Sequence, residues 1–512
     1  MLLELAQNAD YRRPQTENWR SIVRVKSSGE ASNVQLNFDF ELGKPVAVTF
    51  DGGKISSDGG VVLLRQVDNK LKLSEQLAAI LGDKRHPGRV KHSLCLQLRQ
   101  RLYMIGSGHE DANDADHLRF DPAHMVAFGR RPEDALAGAS QETLCRLENS
   151  MTEAQLSVMQ RFLVMLFIAR HKKAPEKLVL DMDTTCDEVH GYQQLSFYNG
   201  FYSTYCYVPL FIFSEDGFPL AAVLRAGNAS PAGYAVEALA PVVAELRKAW
   251  PAVRIELRAD AAFCTPAIYR FCEENCVTYF IGFKDNHSLF CKIKPFIEEA
   301  KAKYEALFGE AAVLVHHKKQ KKLLREAWRR KEERSRFSSK TEGRLQEHFE
   351  EEVRRIRVMR ELSYQADAWT MARRIVIRID YTHEGPEIRY VVTNHEGGRP
   401  AWIYEDKYCQ RGQCENWIKE LKILKCDRLS CQEFNANQFR LLLHVLAYIL
   451  LRELRNHLSP SERAISIDTL MLRLIKVGAV VRETARRISL QLAAAFPWQL
   501  QYRYTYLRLR LY

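Results

Sequence analysis

Apolar residues recur at helical spacing through the first third of the chain. Leu73, Leu77, Ile80 and Leu81 form one such face, Leu94, Leu98, Leu102 and Ile105 a second, and Met159, Phe162, Leu163, Leu166 and Phe167 a third. Two glycine pairs in FDGGKISSDGGVVLLRQ mark a turn ahead of the first buried element. Residues 1–40 are polar and weakly periodic. The pattern predicts an N-terminal arm over 1–40 and an all-helical domain over 41–172. The period changes at Pro175. KLVLDMD reads as a short strand ending in carboxylates, and CYVPLFIF and FPLAAVLRA as a hairpin turning at SEDG. An amphipathic helix from Tyr234 to Trp250, a strand at RIELRAD, a helix from Pro266 to Glu274 and a strand at TYFIGF complete this region. Three hairpin-connected strands followed by alternating helix and strand predict a mixed α/β sheet with helices on its faces, over 173–285.

Regular alternation then stops. Phe296 to Leu307 is helical in pattern, and Lys318 to Lys340 carries eleven Lys or Arg against three Glu, either a solvated face or a contact with a phosphate backbone. EEVRRIRVMREL, RRIVIRIDY and EIRYVVTN have strand period, which predicts a basic, β-rich insertion over 286–404 between two parts of one domain. Helix returns over 405–458, where NQFRLLLHVLAYILLRELR is apolar nearly all round and therefore expected to be buried. In the remaining region, 459–512, the tail YRYTYLRLRLY interleaves aromatics with Arg, either as an edge strand with a basic outer face or as a stacking strip.

Composition narrows the partner. The chain has 512 residues, a net charge of +12 and a pI near 9.0, which favours polyanions and nucleic acid first. The apolar run Leu441 to Leu451 is too short to span a bilayer, the N-terminus lacks a secretory pattern, and the twelve cysteines form no C-x-x-C pair. A cytoplasmic protein with free thiols is expected, without a membrane role.

The candidate chemistry is acidic. Asp181 and Asp183, two residues apart, share one face of a strand, and Asp260 ends a second apolar run. Unpaired carboxylates are costly there, although a strand ending in a polar loop has the same pattern. On a helix from Tyr408, Arg411, Glu415 and Lys422 fall within an arc of about 60° at about 100° per residue, opposite Trp417, Leu421 and Leu424. A solvated face of mixed charge is the plain alternative. Basic residues of the helical domain, Arg89, Lys91, Arg99 and Arg101, are candidate phosphate contacts.

The spacing Y-x2-R-x3-E-x6-K, carried by Tyr408, Arg411, Glu415 and Lys422, resembles the signature of IS4-like DDE transposases. DMDTT and RAD resemble the motifs of the first two catalytic Asp residues. FDGGKISSDGG, HGYQQLSFYNGFYSTYCYVPL and NQFRLLLHVLAYILLRELR look like the IS1380 family in particular. The resemblance implies a ribonuclease H-like catalytic core over 173–285 and 405–458, interrupted by the β-rich insertion, and by its position the helical domain is expected to bind the element's ends. It implies Asp183, Asp260 and Glu415 as catalytic, metal-holding residues, with Asp183 preferred to Asp181 because Thr184 and Thr185 follow it. Two Mg²⁺ ions, replaceable by Mn²⁺, would serve cleavage and strand transfer at terminal inverted repeats. Tyr408, Arg411 and Lys422 would contact DNA. Trp328 and Trp402 are candidates to receive an extruded base. The implied partners are transposon-end DNA, target DNA and a second copy in a DNA-bridged homodimer, in a bacterial, nucleoid-associated setting. A catalytically silent derivative and a ribonuclease H-like nuclease are the alternatives.

Overall fold

The computed structural model describes residues 36–38, 40, 44, 46–49, 51–308, 355–382 and 384–511. Lys318 to Lys340, with Trp328, lies outside the described residues. Residues 1–55 and 56–512 form two units. In the first, β1 (Leu36–Phe38) pairs antiparallel with β2 (Val46–Val48).

The second unit opens with helices α1 (Val61–Leu71), α2 (Leu73–Leu81), α3 (Leu94–Gly106), α4 (Pro122–Phe128), α5 (Gln141–Asn149) and α6 (Glu153–Ala169). Their starts are written in the sequence. Ser93 caps α3, Asp121 caps α4 with Pro122 in the first turn, and Thr152 and Gln155 close a reciprocal capping box on α6.

The sheet begins with β3 (Lys177–Thr184), whose continuous apolar run reflects burial on both faces. A small three-stranded ribbon follows, made of β4 (Asp187–Glu188), β5 (Phe197–Asn199) and β6 (Thr204–Tyr207). CYVPLFIF, read as one strand, is divided at Val208-Pro209, because proline offers no N–H to a ladder. The main sheet resumes with β7 (Leu210–Ser214) and β8 (Pro219–Val223), then α7 (Ala235–Ala249), β9 (Arg254–Ala259), α8 (Pro266–Glu274) and β10 (Val277–Phe283). β3, β7 and β8 are consecutive antiparallel neighbours, whereas β9 runs parallel to β3 and β10 parallel to β9, each reached through a helix.

After α9 (His287–Phe308) come β11 (Ile356–Tyr364), β12 (Arg373–Thr382) and β13 (Gly385–Thr393). The segment expected as a β-rich insertion contributes its strands to the core sheet. β13 pairs antiparallel with β10, so all three lengthen the same sheet, in the order β11-β12-β13-β10-β9-β3-β7-β8. The outer edge of β10 would otherwise leave a row of unpaired backbone groups, and β13 satisfies them.

The chain returns through a π-helical segment (Trp402–Tyr408) and a 3₁₀ turn (Cys409–Gly412) into α10 (Gln413–Ile423), followed by α11 (Phe434–Asn456). A hairpin of β14 (Ala479–Glu483) and β15 (Ile488–Leu492) precedes α12 (Gln499–Leu511). The tail is a helix, so the edge strand, one of its two readings, is not formed. Its buried residues Gln501, Thr505 and Leu509 are spaced by four, a helical face hidden beneath the alternation of Arg and aromatics.

α11 is buried along nearly its whole length and packs against α1, α3, α5, α6 and β8, so helices and sheet share one core. Its polar residues are paired. Glu148 of α5, fully buried, accepts from Arg101 of α3 at 2.9 Å and from Arg440 of α11 at 2.7 Å. Arg101 is thereby removed from the candidate phosphate contacts. Arg99 pairs with Glu75, and Arg89 and Lys91 remain exposed. Burial pushes His444 down to about 3, so it is neutral and bonds through Nδ1 to the Arg440 carbonyl. Removing the shared carboxylate strands two buried guanidinium groups. Glu148→Ala should cost about 3–5 kcal/mol in urea unfolding, and a loss below about 1 kcal/mol would show that the three helices do not depend on it.

Candidate active site

Two neighbouring strands present one polar stripe on the face that the 402–423 segment covers. On β3 the stripe is Asp181 and Asp183, and on β9 it is Glu256 and Arg258, with Asp260 just beyond the strand's end. Arg258 is the register partner of Asp181 and grips it with two bonds of 2.6 Å. Asp181 is fully buried and fully engaged, leaving its neighbour two residues on, Asp183, at the open end of the strand.

Asp183 accepts from its own Thr184 N–H at 2.8 Å and from Arg411 Nη1 at 3.2 Å. Burial, opposed by Arg411 and the Thr184 N–H but reinforced by the charges of Asp260 and Glu415, pushes its carboxyl up to about 6. Asp260 caps the short turn Ala261–Phe263, its Oδ1 accepting from Ala262 N at 2.9 Å. Glu415 sits in the first turn of α10, about half exposed, 3.6 Å from Arg411 Nη2. The structure thus brings Asp183, Arg411 and Glu415 into contact, with Asp260 close enough for its charge to be felt by both Asp183 and Arg411. The three carboxylate groups do not themselves meet. Among the described residues, the one set of three metal-ligating side chains with donor atoms all within 4.8 Å is Asp58, His109 and His124. The Arg411 guanidinium lies between Asp183 and Glu415 and offsets their repulsion.

Tyr408 is held beside this group. Burial raises its phenol, which also senses Arg411 and Asp260. Its hydroxyl lies above Gly282 of β10, where an added Cβ would stand 2.6 Å from it and 2.8 Å from Ala261 N. The 402–412 segment is anchored by Lys407, which donates to both oxygens of Glu256 at 2.9 Å, and by Arg258, whose Nη1 reaches the Lys407 carbonyl at 3.4 Å. The assumption of about 100° per residue from Tyr408 onward fails here, because the π and 3₁₀ turns change the rotation before α10 begins. The Arg411 to Glu415 spacing survives as an i,i+4 pair.

Lys422 stands apart. Two turns beyond Glu415, its ammonium donates to the Cys186 carbonyl at 2.6 Å and faces buried Asp187 at 3.4 Å. Burial pushes Asp187 up to about 7, with Lys422 opposing and Asp427 reinforcing the shift. Trp402 packs against His395 and beneath Lys407, whose Nζ is 4.9 Å from the ring. Lys407, Glu256 and Gly282 were not singled out from the sequence. The alternation of Glu256, Arg258 and Asp260 in RIELRAD was the available signal for the stripe.

The Asp58 cluster is of another kind. Burial alone would raise Asp58, but His109, His124 and Lys476 hold it well below the usual carboxylate range. Lys476 Nζ lies 2.9 Å from Asp58 and 3.2 Å from His109, so this set already contains its cation.

Residues 38–512 match the family described as transposase DDE domain group 1. The chain belongs to this family. It is a DDE transposase, an enzyme acting on DNA. No curated protein sequence matches it. Solved structures similar to this transposase include a cryo-EM structure of a piggyBac transposase synaptic complex with hairpin DNA, at 10% identity and a TM-score of 0.36, over 82% of this chain and 79% of that one. No helix among the described residues of the transposase is long and apolar enough to cross a membrane.

The close approach at Gly282 gives a test of the site's geometry. Gly282→Ala forces the Tyr408 hydroxyl or the Asp260 turn to move, and displacements of about 1 Å can cost up to about 100-fold in rate. DNA cleavage by the folded variant should fall at least about ten-fold, with some loss of stability because the Ala261 backbone must also shift, and unchanged cleavage would show that neither group needs its present place.

Proposed function

We propose that this transposase cuts and joins DNA at the ends of an insertion sequence, with Asp183, Asp260 and Glu415 as its catalytic carboxylates. The observation carrying the proposal is their arrangement: two strand ends and one helix turn supply three carboxylates around a single guanidinium, in a chain of the DDE family. The strand order supports a ribonuclease H-like core, since β8-β7-β3-β9-β10 places three antiparallel strands beside two parallel ones, with the first two carboxylates at the ends of the adjacent strands β3 and β9. The signature residues and resembling segments support the IS1380 family within that class.

The donor set fits divalent metal. Three hard oxygen donors face one Arg, and Asp183, raised chiefly by burial and further by the charges of Asp260 and Glu415, would be held ionised by a bound cation. Asp183, Asp260 and Glu415 would hold Mg²⁺ or Mn²⁺. Bound there, two such ions would supply Lewis-acid stabilisation of the attacking and leaving oxygens in an in-line displacement at phosphorus. The two bonds that Arg258 makes to Asp181 favour Asp183 for this role. Glu415, about half exposed on the first turn of a helix, has the freedom to close toward the two aspartates. Arg411 offers a planar fork to a phosphate oxygen, and Tyr408 a hydroxyl beside Asp260. Lys422 belongs to the same signature, but its present bonds hold the segment after Asp183, and a phosphate contact would require it to leave them.

Purified protein incubated with Mg²⁺ and a labelled element end should both nick and join the DNA. Asp183→Asn, Asp260→Asn and Glu415→Gln should each lower both steps about 100-fold or more while retaining DNA binding. Nicking without joining would favour a nuclease, and binding without either a silent derivative. Retained activity in any of the three variants would remove that residue from the site.

Two ends must be handled together, so the working unit is proposed to hold two chains, with DNA bridging copies that each carry +12. Sedimentation with paired end DNA should show two chains per complex and without DNA one. A catalytically competent complex containing a single chain would refute the dimer.

A further inference from the structure

Two arginines meet the two aspartates of β3, and they hold them differently. Arg258 reaches Asp181 from the neighbouring strand with two bonds of 2.6 Å, and its side chain is 8% exposed. Its strand is fixed by ladders on both sides, to β3 and to β10. A fork that meets both carboxylate oxygens from a paired strand is a permanent counter-ion.

Arg411 holds Asp183 by one bond, from Nη1 to Oδ2 at 3.2 Å. Its Nη2 stands 3.6 Å from Glu415 Oε1, beyond hydrogen-bond length. The Arg411 side chain is 18% exposed and that of Glu415 55%, so solvent reaches both. Arg411 rises from the 3₁₀ turn Cys409–Gly412 and not from the sheet, and such turns have poorer hydrogen-bond geometry than an α-helix. Around it the acids are in excess: Asp183, Asp260 and Glu415 all act on this one guanidinium.

Conflicting demands meet on that side chain. In the structure it lies between Asp183 and Glu415 and offsets their repulsion. A metal-dependent phosphodiester site asks for a divalent cation among the same carboxylates and for a fork at a phosphate oxygen. A guanidinium and a divalent cation on the same oxygens repel, and the cost is large where solvent screening is weak. Nor can one set of N–H groups serve carboxylate and phosphate together. A weakly held arginine satisfies every demand by changing partners, which the doubly bonded Arg258 cannot do.

We propose that Arg411 is an exchangeable counter-ion: it balances the carboxylates until a divalent cation binds them, yields Asp183 and Glu415 to that cation, and is thereby freed for a DNA phosphate. Metal loading and DNA binding are then coupled through one side chain, each favouring the other. The inference rests on the carboxylates holding metal, and it adds a role for Arg411 that this reading does not require.

The first test needs neither DNA nor turnover. Mn²⁺ is titrated into the full chain in mildly alkaline buffer, where the carboxylates are ionised, and the free ion is followed by electron paramagnetic resonance. Arg411→Gln removes the competing charge and should bind Mn²⁺ about ten-fold tighter than wild type, whereas Arg411→Lys, which keeps the charge, should stay within about two-fold of it. Unchanged binding in Arg411→Gln, or weakened binding in either variant, would overturn the proposal, since Arg411 would then brace the site.

The second test reads the released charge. Affinity for a short paired duplex is measured against salt, in EDTA and with Ca²⁺, which takes the same oxygen donors. With Ca²⁺ the salt slope of wild type should exceed that of Arg411→Gln by about one, the share of one phosphate contact, and in EDTA the two slopes should coincide. Slopes that differ equally in both conditions mean that Arg411 meets phosphate without exchange, and slopes alike in both mean that it never meets phosphate; either result refutes the proposal. Asp183→Asn reads the metal site on its own. If it binds Mn²⁺ as wild type does, the metal reading fails and the exchange with it. If it loses Mn²⁺ while Arg411→Gln shows no gain, the exchange alone fails.

Discussion

Burying carboxylates at the centre of a sheet is costly unless positive charge meets them, and that requirement organises this molecule. β3 carries Asp181 and Asp183 on one face, and no residue of β3 itself balances them. The neighbouring strand supplies Arg258 for Asp181 in direct register. Nothing on the sheet supplies a cation for Asp183. That charge comes from Arg411, on a segment that returns only after the chain has built α9 and three further strands. Sheet, excursion and returning helix are thus bound to one another by the charge of two aspartates.

Lys407 must reach Glu256, Tyr408 must lie over Gly282, and Arg411 must reach Asp183, all on the sheet side and within five residues. At about 100° per residue these three positions lie within an arc of about 100°, so one side of the segment presents them together, and the π turn followed by a 3₁₀ turn joins that side to α10. Regular α-helix resumes at Gln413, where Glu415 no longer has to touch the sheet and stays about half exposed. The site therefore combines two carboxylates at strand ends, Asp183 and Asp260, with a third on a helix turn that is about half exposed.

Much of this was legible in the sequence. The order of the main-sheet strands β3, β7, β8, β9 and β10 with their helices α7 and α8, and the buried length of α11, followed from period, because burial on one or both faces imposes it, whereas the ribbon β4 to β6 did not. Asp183 and Asp260 were visible as carboxylates ending apolar runs. What escaped notice depends on contacts between distant segments. Nothing local in EIRYVVTN says that β13 will pair with β10, and no spacing rule anticipates the π turn. Arg101 was read as surface because an Arg amid polar neighbours usually is, and only the fold brings Glu148 and Arg440 to it. In the tail, alternating Arg and aromatics imitated a strand, although the buried positions, four residues apart, belong to a helix.

The spacing of Tyr408, Arg411, Glu415 and Lys422 has a physical reading in this fold. The first three meet the carboxylate cluster, while the fourth, two turns on, reaches past it to the Cys186 carbonyl and to Asp187. Asp187 opens β4, so Lys422 fastens the root of the three-stranded ribbon to the helix that carries Glu415. Any shift of α10 that moves Glu415 toward the aspartates is therefore transmitted to the segment leaving Asp183. One helix, with one set of spacings, holds both the acidic groups and the surface beside them, and a change in the x6 interval would separate the two.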